Sequence, residues 1–299
     1  MYGPVKSGGL TWIEVVVVIL VVLGFVLPIL VPAYQRERLV SLNVECGMNL
    51  SGIGKAVLSY ANDYNGELPS AGGKGTRWGP GLRSWSSHSR AEAFGLDPNS
   101  AGEEATISAS LYLLIRHNGL SPKSFICPGD RRVTEFRAQK YGVTDRGLAE
   151  LWDFGLDPAR HCSYAYHMPY GGYALTTSNE PSFAVAADRN PWMKSPSGNA
   201  RPFTDFRPDA GAKGGTGTSD QARKGNAVGH QNNGQHVLFL DGHVEFAKRA
   251  YCGLDDDNIY TVSSSQAAGD PLGTPPKLGS QPANRRDSLL VNDLPVPRR

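Results

Sequence analysis

Charge is what this chain is short of. Asp, Glu, Lys and Arg together supply only 19% of its 299 residues, and they nearly cancel, leaving a formal net charge of +2. No basic stripe interleaved with aromatics occurs, so nucleic acid is not an expected partner. Catalytic signatures are missing too. No G-x-S-x-G turn is present, and no serine lies in a pattern that pairs it with a base. The Gly-rich GAKGGTGTSD ends without the Gly-Lys-Ser/Thr of a phosphate-binding loop, and no strand precedes it. What is plentiful is Gly, at 35 residues, and Pro, at 21, which implies abundant loops.

The shortage of charge is most local between Val15 and Gln35, where no charged residue occurs. Most of that run is Val, Ile or Leu, interrupted at Gly24, Pro28 and Pro32. As a helix it would extend roughly 30 Å, the thickness of a bilayer core, so a membrane span over 10–35 is expected. A cleaved secretory peptide fits less well, because the run is too long and no small-x-small site closes it. Lys6 before the run and Arg36 and Arg38 after it leave orientation undecided by charge alone. Glu14 stands at the mouth of the run, where a carboxylate in hydrocarbon costs roughly 2.5–3.5 kcal/mol at mid-bilayer and needs a partner.

Beyond the run, apolar residues recur at Leu39, Leu42, Cys46, Leu50, Ile53, Val57, Tyr60 and Tyr64, one face of an α-helix. Asn65-Gly66 supplies a stop, with Pro69 beyond. One helix is therefore expected from Thr11 to Asn65, kinked at Pro28 and Pro32. Gly47, Gly52 and Gly54 lower its propensity, so its second half must lean on a packed domain. Residues 66–261 are then the globular head. A second helix is expected over Ser108–Asn118, capped by Ser108 and stopped by Gly119. Strands are expected at SYAYHM and at Phe183–Asp188. In HVLFLDGHVEF, Asp241-Gly242 marks a two-residue hairpin pairing Phe239 with Val244, Leu238 with Glu245 and Val237 with Phe246. Val237, Phe239, Val244 and Phe246 would then share one apolar face. The segment 262–299, rich in Pro, Ser, Gly and Arg, reads as a mobile tail.

The stretch Gly8-Gly9-Leu10-Thr11-Trp12-Ile13-Glu14 resembles a type IV prepilin signal. The resemblance implies a leader over 1–9, cleavage after Gly9 by a prepilin peptidase, methylation of Leu10, and Glu14 as fifth mature residue. Leu10 stands where Phe is usual. The freed amine, with a reference pKa of about 7.7–8.0, would pair with Glu14 of a neighbouring subunit. Cleavage on the cytoplasmic side sets the orientation. The pieces CGMNLSGIGKAVLSYANDYNGELPS, SLYLLIRHNGLSPKSFICPGD, CSYAYHMPYGGY, AVAADRNPW and GHQNNGQHVLFLDGHVEF resemble a bacterial family that joins such an N-terminus to a C-terminal "H…DG" domain. His230 and Asp241-Gly242 fit that pair, with ten residues between where nine is commonest. The resemblance implies an α+β, pilin-like fold: a long helix, membrane-spanning in its first half, against an antiparallel sheet. It also implies a non-enzymatic subunit of a type IV pilus or type II secretion filament. That subunit would be single-pass in the inner membrane, partnered by lipid and other pilin-like subunits. The alternative is a monomeric envelope protein whose head binds ligands such as glycans through Trp78, Trp85 and Trp152.

No cofactor and no metal is expected. His236 and His243 would lie roughly 13 Å apart along the hairpin, and His230 alone is not a site. The acidic Asp255-Asp256-Asp257 is a candidate calcium loop, but lacks the Gly and distal Glu of an EF-hand. Asp188-Arg189-Asn190 reads as structural pairing at a strand end. Cys46, Cys127, Cys162 and Cys252 permit two disulfides in three connectivities, or a free buried Cys46.

Overall fold

A computed structural model describes residues 11–82, 84–96, 103–209, 215–264 and 269–296; for 27, 29 and 31–40 it describes backbone alone. Gly9 and Leu10 therefore lie outside the described residues. The chain divides into two compact units, Met1–Val44 and Glu45–Arg299. In chain order the elements are α1 (Trp12–Asp63), β1 (Arg77–Trp78), α2 (Arg90–Phe94), β2 (Glu104–Ala105), α3 (Ile107–Asn118), β3 (Tyr164–His167), β4 (Ala184–Asp188), α4 (Asp220–Arg223), β5 (Gln235–Phe239), β6 (Val244–Ala247) and β7 (Leu290–Val291).

The first unit holds the N-terminal part of α1, whose apolar side chains from Trp12 to Val26 are exposed. The expected membrane-spanning half is not borne out, nor is the inner-membrane, single-pass location that rested on it. Among the described residues no helix is long and apolar enough to cross a membrane. The pilin-like fold class, which joined that span to the head, is corrected on the same ground.

The second unit is α+β. A five-stranded antiparallel sheet runs in the order β6-β5-β4-β3-β7. On one face lies the α1 stripe of Cys46, Leu50, Ile53, Val57 and Tyr60, together with α3 and the inward side chains Tyr164, Tyr166, Leu238 and Leu240. On the other lie Val237, Phe239, Ala165, Ala187, Phe206 and Tyr260. The glycines of α1 serve this packing. A Cβ on Gly54 would stand 2.5 Å from Leu238 Cδ1, and one on Gly47 would stand 3.1 Å from the His236 ring. Absent side chains let the helix backbone ride close over β5, which offsets their poor propensity. Past Asp63 the chain leaves the helix through Asn65 (φ 54°) and Gly66 (φ 81°), with Gly66 N–H donating to Ala61.

Three expectations need correction. The β5–β6 register is shifted by one: Leu238 pairs with Val244, Val237 with Glu245 and His236 with Phe246. The cause is a turn one residue longer than expected. Phe239 N–H donates to the His243 carbonyl, and Gly242, at φ 89°, donates back to Phe239, the three-residue loop that ends in a left-handed residue. The Asp241 carboxylate accepts the His243 N–H at 3.0 Å and locks this form. A one-residue slip flips faces, so Val244 and Phe246 share a face with Leu238 and His236, not with Val237. Second, α3 is capped by Thr106, whose Oγ1 accepts from Ala109 N, not by Ser108. Third, the segment expected to be a mobile tail builds core. β7 pairs with β3, and Leu289, Leu290 and Val291 have no exposed surface. Asp293 accepts the Ile107 and Ser108 N–H groups at the start of α3.

Candidate functional site

The densest gathering of reactive side chains lies in the second unit, between α1 and the near end of β4 and β5. Cys46, on the buried stripe of α1, is bonded to Cys127, 81 residues on. Cys162 and Cys252 are free thiols, the first buried. Burial pushes both thiols up to about 12, so neither is an activated nucleophile.

Beside the bridge stand Asp188, the last residue of β4, and His230. His230 Nε2 is 3.0 Å from Asp188 Oδ2 and 3.5 Å from Cys127 Sγ. The same carboxylate oxygen accepts the backbone N–H of His236 at 2.7 Å, and His236 Nδ1 lies 3.4 Å away. The two imidazoles meet edge to face with centroids 5.0 Å apart. All five residues are buried. Burial alone would push the Asp188 carboxyl up. Hydrogen bonds from His230 and His236, and their charge, outweigh it and hold the group at about 2. Burial disfavours the His230 cation, but the hydrogen bond and charge of Asp188 prevail and raise its pKa. Asp188 Oδ1 is buried with no hydrogen-bond partner among the described residues.

Local chain geometry explains the convergence. The turn Cys127–Asp130, closed by Asp130 N–H to Cys127 C=O, packs backbone to backbone on Val228–His230. A Cβ on Gly129 would stand 2.5 Å from the Gly229 carbonyl oxygen, so this contact needs glycine. Asn49 Nδ2 donates to the Ile126 carbonyl at 2.9 Å and Tyr164 Oη to the Cys46 carbonyl at 3.3 Å. Both cysteine backbones are thereby tied to their neighbours. Arg189 pairs with Asp130 at 3.0 Å and donates to the carbonyls of Ala159 and Cys162. Asn190 donates to Tyr260 and Leu290 carbonyls. The strand-end triplet is thus a structural junction, with Asp188 facing the sulfurs' side of the sheet.

His230 and Asp241-Gly242 are not brought together. They lie beyond opposite ends of β5, His230 in the cluster and Asp241-Gly242 in the exposed turn. Glu14 is placed in a reciprocal cap: Thr11 N–H and Oγ1 donate to its Oε2 at 2.8 and 2.9 Å, and Glu14 N–H faces Thr11 Oγ1 at 3.4 Å. Those hydrogen bonds hold its carboxyl below the usual range. The T-x-x-E spacing was the sequence signal for this box. The acidic loop is matched by cations and amides. Asp255 pairs with Arg286 at 2.6 Å, Asp256 with Arg249 at 2.8 Å, and Asp257 accepts from Ser288 and Asp270 N–H groups. Trp78, Trp85 and Trp152 are all more than nine-tenths buried, so none presents a ring for a sugar to stack on.

A cleft of about 460 Å³ opens near Lys74, Arg77, Trp78 and Glu104. Its charges are already paired, Lys74 with Glu67 at 2.8 Å and Arg77 with Glu104 at 3.6 Å. Comparison with known proteins returns nothing: no family model, no curated protein and no solved structure matches this chain.

Proposed function

We propose that this chain is a non-enzymatic, pilin-like assembly subunit, processed by a prepilin peptidase after Gly9 and joined to copies of itself through the N-terminal part of α1. The observation that carries the reading is the exposed apolar surface of that helix. Trp12, Leu20 and Phe25 are 75%, 63% and 74% exposed, and every Val, Ile and Leu between Ile13 and Leu23 is more than a third exposed. A helix apolar on all sides is stable only when it is covered, and fully burying one Val, Leu or Phe side chain is worth roughly 1.5–3 kcal/mol. Glu14, the one charge in that stretch, sits at the end where a processed neighbour would bring its new amine.

The test uses the full chain co-expressed with a prepilin peptidase. Intact mass and N-terminal sequencing should find Leu10 first, carrying one methyl group. A photo-crosslinking residue at Val18 or Leu23 should then join copy to copy, and Leu20→Asp should abolish those products. An intact Met1 terminus together with monomer alone at both crosslinking positions would overturn the proposal.

A further inference from the structure

We infer that Cys46, Cys127, Asp188 and His230 form a binding site for a borderline-soft divalent cation of the zinc class when the Cys46–Cys127 bridge is open. Their ligand atoms, two Sγ, one carboxylate oxygen and one imidazole nitrogen, all lie within 4.8 Å of one another, and all four residues are buried. A tetrahedral zinc site with bonds of about 2.0–2.3 Å sets its ligand atoms roughly 3.3–3.8 Å apart. Beyond the parting of the two sulfurs, adjustments on the order of 1 Å complete the site.

A second observation points the same way. Asp188 is 3% exposed and its Oδ1 has no hydrogen-bond partner among the described residues, and a buried carboxylate oxygen rarely stays unmatched. Its other oxygen is held by the His236 N–H, the outer contact that orients a ligating carboxylate. The anchored cysteine backbones and the Gly129–Gly229 contact bring the remaining donors to the same place. Two thiolates with an imidazole and a carboxylate favour zinc or cobalt over magnesium or calcium.

Bridge and ion exclude each other, so the site is redox-gated. A dithiol reductant gives two electrons and two protons to the bridge and leaves as its cyclic disulfide, and Cys46 and Cys127 become thiols. Binding then displaces both thiol protons and the Nε2 proton of His230. A small disulfide oxidant that exchanges with the two thiolates takes their two electrons, leaves as its own dithiol with two protons from solvent, and so restores the bridge and releases the ion.

The experiment adds Co²⁺ to the full chain before and after treatment with a dithiol, followed by removal of the reductant. The reduced chain should take up one ion with tetrahedral ligand-field bands and a thiolate charge-transfer band, and Zn²⁺ should displace it. The oxidised chain should show neither band. Both bands should survive in the Cys162→Ala/Cys252→Ala chain and vanish in Cys46→Ser/Cys127→Ser. Asp188→Asn and His230→Gln should each weaken binding about tenfold or more. If reduction alone unfolds the chain, Zn²⁺ added with the reductant should restore the folded signal and raise the melting temperature with its concentration. Substoichiometric uptake, bands that persist without Cys46 and Cys127, or a reduced chain that Zn²⁺ neither binds nor refolds would overturn the inference.

Discussion

Raising the pH should loosen this protein well before any base chemistry begins, and Asp153 shows why. Its carboxylate is fully buried beside the start of α3, accepting from Thr106 Oγ1 at 2.5 Å, Ser108 Oγ at 2.9 Å and Phe154 N–H at 2.8 Å. Asp293 occupies the same helix terminus, taking the Ile107 and Ser108 N–H groups at 2.9 and 2.8 Å. Burial first, and the charge of Asp293 second, push Asp153 up from 3.8 to about 7, against the pull of those hydrogen bonds. Below pH 4 the acid is protonated folded or unfolded. Between 4 and 7 the folded chain holds a proton that the unfolded chain has lost, so stability falls as pH rises, and above 7 the loss is complete. A shift of roughly three units at 1.36 kcal/mol each amounts to about 4 kcal/mol, of which about 3 falls between pH 5 and 8. Asp257, up to about 8, and Asp287, up to about 6, titrate in the same direction. Asp188 and His167 run the other way: Asp188 is held at about 2 and its contribution is lost only as pH drops below about 4, while His167, lowered by burial to about 4, adds stability as pH rises from 4 to 6.5, by less than the three carboxyls together remove. Urea unfolding at pH 5, 6, 7 and 8 should therefore show the highest midpoint at pH 5. Asp153→Asn, an isostere of the neutral acid, should flatten the profile by about 3 kcal/mol over that span. A variant whose profile stays parallel to the wild type would refute the assignment of Asp153, and a midpoint that rises toward pH 8 would refute the whole argument.

Opening the Cys46–Cys127 bridge by substitution with serine frees an unfolded-chain loop of 81 residues and should cost about 4–5 kcal/mol in urea unfolding; Cys162→Ala and Cys252→Ala should leave the bridge and its share intact. Gly54→Val drives a side chain into Leu238, whose Cδ1 already lies 2.5 Å from where a Cβ would stand, and should cost about 1–3 kcal/mol. Leu238→Ala should recover part of that loss in a double-mutant cycle, and strict additivity would contradict the close approach. Glu14→Ala removes the acceptor of the Thr11 cap and should speed amide exchange over the first turn of α1 severalfold, whereas Glu14→Gln should speed it less. Equal exchange rates in all three chains would show that the box does not form in solution.

Much of the second unit was legible because local signals agreed there. The α1 stripe from Cys46 to Tyr60, the Asn65-Gly66 stop, Gly119 after α3 and the apolar run of β4 each have one physical interpretation, and the structure places elements at all of them. The last segment was misjudged because its composition says loop, while its few apolar residues, Leu289, Leu290 and Val291, are used at full burial. Composition averages over residues, whereas a two-residue edge strand needs only two. Thr106 was overlooked as a cap because Ser108 is also a good capping residue, and both in fact serve the same terminus: Thr106 caps, and Ser108 Oγ hydrogen-bonds Asp153. The T-x-x-E spacing also offered Glu14 a near partner, Thr11, which the structure shows.

The cluster around Asp188 was hidden for a more specific reason. Its members come from α1, a turn, the end of β4, a second turn and β5, and only the sheet register decides which of them meet. The two-residue hairpin would have put His236 beyond the end of the apolar pairs and invited comparison with His243 alone. Alternation along β5 puts His236 on the α1 side with Leu238, and the longer turn at Leu240-Asp241-Gly242 brings Phe246 opposite it. There Gly47 leaves room for the His236 ring, and the His236 backbone N–H reaches Asp188. Asp241-Gly242 therefore places Phe246 against His230 and His236 from the far end of β5 without touching them. A substitution that restored a two-residue turn should slip β6 by one residue and flip Phe246 away from both imidazoles, while the His236–Asp188 contact, set by the β4–β5 pairing, stays in place.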